Sequence, residues 1–122
     1  MPTKIVIIGA GPSGLTLTSC LHVNGITSTI FERDPSPHSR SIWGGSLDLH
    51  HGSGQKAIRY GQLRDGFMKH ARHESQDPTV SDSAGTKYRV IKGVDFGRPE
   101  IDRPVLCKLH LDSIPPDYFR WG

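Results

Sequence analysis

Gly9-Ala10-Gly11-Pro12-Ser13-Gly14, followed 18 positions after its last glycine by Glu32, carries most of the recognisable chemistry in this 122-residue chain. That chemistry is binding rather than bond making. Gly9 permits a tight turn, Gly11 has no Cβ to hold the backbone away from a pyrophosphate, and Gly14 lets a following helix pack closely on a sheet. A helix that starts at such a turn offers phosphates its unpaired N–H groups and the positive end of its dipole. A carboxylate at Glu32 accepts hydrogen bonds from an adenosine ribose and disfavours a 2′-phosphate, so the tightly held nucleotide is expected to be FAD or NAD rather than NADP. Candidate contacts here are Gly9, Gly11, Pro12, Ser13, Gly14 and Glu32. A glycine turn with no ligand is the plainer alternative.

These residues need elements to place them, and the flanking sequence predicts them. Lys4 to Ile8 is a short β-branched run, Leu15 to Leu21 has helical character, and Thr27 to Phe31 reads as a second strand closed by Glu32. Strand, glycine turn, helix, strand and acid fit within the roughly 30-residue βαβ unit of a dinucleotide site. The expected fold class is α/β, with residues 1–34 as a Rossmann-like βαβ unit.

Composition narrows the rest. One domain at most fits the length. Hydrophobic content is 34% and mean hydropathy −0.42, low for a complete parallel α/β domain, whose strands are nearly all apolar. Net charge is +3 with a pI of about 9.1. The basic residues are interleaved with acids and form no aromatic-studded stripe, which argues against nucleic acid. Cys20 and Cys107 have no metal or redox spacing, and Cys20 reads as a small buried hydrophobe in the first helix. With no leader-like start and no apolar run of about 18 residues, a cytoplasmic chain without a membrane span is expected.

Past Glu32, Pro35 to Ser39 reads as a loop, and Gly44-Gly45 precedes alternating apolar residues. Gly54 to Tyr60 and Gln62 to Ala71 read as short helices, with Gly61 as a C-cap between them. Thr79 to Lys92 reads as a hairpin turning at Ser83 to Gly85. A helix is expected from Asp102 or Arg103, with Pro104 in its first turn, until Pro115-Pro116 stops it. Tyr118 to Trp121 begins another strand.

Gly44-Gly45-Ser-Leu-Asp48-Leu-His50, Gly52-Ser-Gly54-Gln55 and Arg98-Pro-Glu-Ile-Asp-Arg103 together resemble the FAD-dependent monooxygenases of the tetracycline-destructase type, within the para-hydroxybenzoate hydroxylase-like (aromatic-ring hydroxylase) group. The resemblance runs nearly the whole chain and implies FAD, in a GR2-type flavoprotein fold. It matches Arg33 to the adenine end, Asp48 to a flavin-contacting acid, and Arg103 to an arginine at the start of a helix that reaches FAD. Arg40 is the nearest match to an arginine before the paired glycines. Gly44 and Gly45 suit close approach of backbone to an isoalloxazine ring, or simply a tight turn. A guanidinium such as Arg103 suits phosphate or a flavin's polar edge; an ion pair with Glu100 or Asp102 is the alternative. Asp48 could equally be a turn or cap residue. Cys107 and His110 fall where such enzymes often carry Arg and Leu.

The resemblance also implies a later Gly-Asp segment and a substrate-binding sheet, and neither is recognisable here. Residues 35–122 are therefore expected to supply flavin-contacting loops, helices and a hairpin, in an incomplete, N-terminal part of the FAD-binding domain. The implied function is the FAD-binding portion of an NAD(P)H-dependent monooxygenase acting on an aromatic or polyketide-like small molecule. A catalytically silent nucleotide-binding module and an NAD-dependent dehydrogenase fragment are the alternatives. No catalytic side chain is expected. His50-His51, His70 and His73 lack a completing ligand set for a metal, the serines lack a nucleophile elbow, and Trp43 and Trp121 read as packing residues.

Overall fold

A computed structural model describes residues 3–39, 44–73, 77–93 and 96–122. Strand β1 (Ile5–Ile8), helix α1 (Pro12–Val23) and strand β2 (Ser28–Glu32) form the expected βαβ unit. Then come β3 (Ser46–Asp48), α2 (Gly54–Tyr60), α3 (Arg64–His70), β4 (Thr79–Ser81), β5 (Lys87–Val90), β6 (Glu100–Asp102) and α4 (Arg103–Ser113). A 3-10 turn (Pro116–Tyr118) leads into β7 (Phe119–Trp121).

β1, β2 and β7 make a parallel sheet in that order, with Ile7 beside Ile30 and Ile30 beside Phe119. Side chains alternate across a strand, so those three share one face. They pack there with Leu15 of α1 and Ile114 beyond α4 in the first core. The opposite face stays open: Val6 is 56% exposed, Ile8 81% and Phe31 48%. Parallel sheets are ordinarily covered on both faces, and this chain covers one.

A second core joins Ile58 of α2, Phe67 of α3, Ile101 of β6 and Leu106 of α4. β3 and β6 pair antiparallel through Leu47 and Ile101. α4 belongs to both cores, with Cys107 and Leu111 turned to the first and Leu106 and Leu109 to the second. It thereby ties the paired-glycine segment to the nucleotide unit. The β4–β5 hairpin turns as predicted and is exposed along both strands. Its turn is organised by the Asp82 carboxylate, which accepts the backbone N–H groups of Ala84 (3.0 Å) and Thr86 (2.8 Å). Those bonds, Thr86 foremost, hold Asp82 below the usual carboxylate range.

Gly61 caps the C-terminus of α2 as expected, at a φ of −77°, and the left-handed residue is the following Gln62 at +58°. Gly61 also provides room, since a Cβ there would lie 3.4 Å from Ser19 Cβ on α1. Two expectations need revision. The second short helix starts at Arg64 rather than Gln62. Cys20 is half-buried rather than buried, with its Sγ 3.6 Å from the Ala57 carbonyl, and partial burial raises its thiol pKa.

Candidate dinucleotide site

The site is built where β1 and β2 end. Gly9 continues the ladder by donating its N–H to the Phe31 carbonyl (2.8 Å), then turns the chain at a φ of +99°. Gly11 is the N-cap of α1 and gives no side-chain cap, while Pro12 starts the helix without needing an N–H partner. A Cβ on Gly14 would overlap the Gly9 carbonyl oxygen and stand 3.3 Å from Ile7 Cγ2. The third glycine is thus set by how closely α1 crosses the end of β1.

Glu32 faces this turn. Its Oε2 accepts the Ala10 N–H (2.6 Å) and its Oε1 the Asp34 N–H (2.9 Å), so one carboxylate braces both strand ends. An ionised carboxylate has about four acceptor positions, so such a group can serve more than one donor at once.

Arg103 arrives from the far end of the sequence. Its backbone N–H donates to the Gly45 carbonyl (2.9 Å), and its Nη2 lies 3.9 Å from where a Gly11 Cβ would stand. Gly44, at a φ of +145°, would place a Cβ 3.4 Å from both Arg103 Cβ and Pro104 Cδ. The paired glycines therefore lie against the first turn of α4. The ion pair weighed for Arg103 goes to another residue: Arg72 Nη2 sits 3.3 Å from Glu100 and 2.9 Å from Asp102. With both acids engaged by Arg72, the Arg103 guanidinium is directed at the glycine turn.

Between the β2–β7 ends and α4 lies a cavity of about 570 Å³. Ala10, Gly11, Glu32 and Arg103 form one end of it. Phe119 and Trp121, stacked 5.2 Å apart, form an apolar wall. Asp34, Ser36, Pro37 and His38 from the loop after β2 line it as well, as do Lys108 and Asp112, an exposed ion pair at 2.8 Å. Anionic and cationic groups meet over apolar walls, a composition suited to a nucleotide with a ribose, a flat base and phosphates.

Not every predicted residue converges there. Gly9, Pro12, Ser13 and Gly14 shape the turn without lining the cavity. Arg33 is exposed and does not line the cavity, whereas its neighbour Asp34 does. Asp48 is exposed on β3, paired with Glu100 on β6. Arg40 lies outside the described residues. Sequence reasoning missed Lys108, whose i,i+4 spacing to Asp112 was the available signal, and gave Trp121 a packing role without the cavity beside it. It also placed His110 only as a departure. This histidine is completely buried between α1 and α4, and burial pushes its imidazole down from the ordinary 6.5 to about 4. Among the described residues no helix is long and apolar enough to cross a membrane.

Comparison with known proteins agrees with this geometry. Residues 2–91 match the FAD binding domain family. Monooxygenase asqM of Emericella nidulans is 38% identical over 123 residues, covering 98% of this chain and 28% of that protein. Among solved structures, Klebsiella pneumoniae HpxO complexed with FAD and uric acid superposes with a TM-score of 0.69 at 20% identity, over 98% of this chain and 31% of its own. Tetracycline destructase Tet(51) superposes at 0.65 and 18% identity, over 99% and 30%. At those identities the two structures establish a shared fold. The chain spans less than a third of the length of each of these three proteins. A family match across most of the sequence, on a βαβ unit whose glycine turn, acid and arginine meet at one cavity, places this chain in the FAD binding domain family, with FAD-dependent monooxygenases as its relatives.

Proposed function

We propose that this chain binds the ADP half of FAD at the Gly9–Gly14 turn and forms the cofactor-binding portion of a flavoprotein monooxygenase. One observation carries the reading: Gly11, Glu32 and Arg103, from three separate elements, meet at one end of the same cavity. In this reading Gly9, Gly11, Pro12, Ser13 and Gly14 present backbone to the pyrophosphate. Glu32 accepts from the ribose hydroxyls while still bracing Ala10, and Arg103 neutralises phosphate charge with a planar donor fork. Arg33 serves the adenine end from outside the cavity wall. Gly44, Gly45 and Asp48 serve the flavin end, with Arg40 as a further candidate.

FAD, when bound, supplies the redox chemistry, accepting reducing equivalents from NAD(P)H and passing them to oxygen. The protein's share is to hold the cofactor, orient it and keep water from one side of it. No side chain is assigned as nucleophile or general base. The substrate, in the complete enzyme, is an aromatic or polyketide-like small molecule. The short span relative to the relatives favours a second reading in one respect: this length of chain holds a nucleotide without turning over.

The test is incubation of the purified chain with FAD, then gel filtration with absorbance read at protein and flavin wavelengths. Flavin co-eluting near one per chain, and displaced by ADP, supports the proposal. A folded protein that retains none refutes it. Retained flavin without NADPH oxidation selects the second reading; oxidation at an enzyme-like rate discards it.

A further inference from the structure

His110 has a hydrogen-bonding arrangement that space filling does not require. Its Nδ1 lies 2.8 Å from Ser19 Oγ and its Nε2 3.1 Å from Thr16 Oγ1, both on α1. The Thr16 hydroxyl gives its only proton to the Pro12 carbonyl (2.7 Å), so toward the imidazole it accepts. That assigns the neutral tautomer: Nε2–H donates to Thr16, and Nδ1 accepts from the Ser19 hydroxyl. The Ser113 hydroxyl closes the network by donating to the His110 carbonyl (2.7 Å).

This network leads to the glycine turn. Pro12, at its end, is the residue after Gly11. On α4, His110 follows Arg103 by seven residues, close to two helical turns, so both lie on one face. The face that sets His110 against Thr16 and Ser19 also aims Arg103 at Gly11. Apolar packing alone tolerates some rotation and sliding between two helices, whereas two directional bonds to one planar ring do not. A slide of α4 by one residue, about 1.5 Å, would break both bonds and carry Arg103 with it.

We propose that His110 is a positioning residue for dinucleotide binding, locking α4 against α1 so that the Arg103 guanidinium stays over Gly11. The proposal rests on the reading of Gly11 and Arg103 as pyrophosphate contacts. The probe is ADP, its affinity measured by calorimetry on the full chain at neutral pH, with circular dichroism to verify folding. His110→Leu keeps the apolar bulk and removes both bonds. His110→Gln restores one donor and one acceptor, flanking a single carbon as the ring nitrogens do. Thr16→Val removes the partner of Nε2 from the other helix.

Folded His110→Leu should bind ADP about tenfold more weakly, the effect of losing one to two net hydrogen bonds from the positioning of the site. His110→Gln should recover most of that loss, which a residue that merely filled space would not require, and Thr16→Val should weaken binding in the same direction. A folded His110→Leu that binds within about twofold of the unsubstituted chain overturns the proposal. So does a His110→Gln as weak as the leucine variant. Should His110→Leu fail to fold, the comparison of His110→Gln with Thr16→Val decides: unchanged affinity in Thr16→Val overturns the role. No ADP binding by the unsubstituted chain overturns the site reading as well, and is thereby distinct from a failure of His110 alone.

Discussion

Acid should destabilise this protein through His110, and the size of the effect follows from its burial. The ring is neutral in the fold, at about 4, and titrates near 6.5 once unfolded. As pH falls below 6.5 the unfolded chain takes up a proton that the folded chain refuses, so stability is full above 6.5 and is lost toward 4. Across the whole interval the loss amounts to about 3 kcal/mol, and by about pH 5 roughly 2 kcal/mol of it is gone. For a domain whose total stability is about 5–15 kcal/mol, that is a large fraction. The assay is urea unfolding near pH 8 and near pH 5, followed by the fluorescence of the two tryptophans, Trp43 and Trp121, on the unsubstituted chain and on His110→Leu. The leucine variant loses stability at both pH values through its missing hydrogen bonds, but its difference between them should be smaller by roughly 2 kcal/mol. Contributions common to the two proteins drop out of that comparison. Equal pH dependence in the two proteins would refute the reasoning, because His110 would then be accessible to protons in the folded state.

The glycine turn gives further expectations. Gly14→Ala forces α1 away from the Gly9 carbonyl, so it should cost about 1–3 kcal/mol in urea unfolding and abolish measurable ADP binding. Glu32→Gln keeps the shape of the side chain and loses its charge. Its amide still accepts one of the two backbone N–H groups at Ala10 and Asp34 but leaves the other with a donor. A destabilisation of about 1–3 kcal/mol at neutral pH is expected, together with weaker ADP binding. Arg103→Ala should lower ADP affinity by about one to two orders of magnitude and flatten its salt dependence, with Arg103→Lys only partly restoring it. Binding of Arg103→Ala equal to the unsubstituted chain would detach that arginine from the phosphates.

The elements of the nucleotide unit were legible because their information is local. Four β-branched residues make a strand, three spaced glycines and a proline make the turn and start the helix, and an acid closes the next strand, all inside 32 residues. Pro104 near the start of α4, and the hairpin held by Asp82 and Gly85, were readable for the same reason. Gly61 was readable as the C-cap of α2, but its close approach to α1 was not, and the left-handed conformation falls on Gln62.

What tertiary structure decided is which distant groups meet. Arg103 could have paired with its neighbours Glu100 and Asp102. Only the bridge between Arg72 and β6 brings a competing guanidinium to those acids and leaves Arg103 directed at Gly11. The burial of His110 was likewise invisible, since a histidine on a helix of mixed polarity becomes a neutral bridge only when Thr16 and Ser19 lie opposite it. Sequence alone determined the class of ligand proposed for this chain, because a glycine turn of the kind that suits phosphates is written in consecutive residues. Arg103, which completes the site from α4, lies 89 positions beyond Gly14, and its placement depends on how α4 packs across two cores, a relation no local pattern encodes.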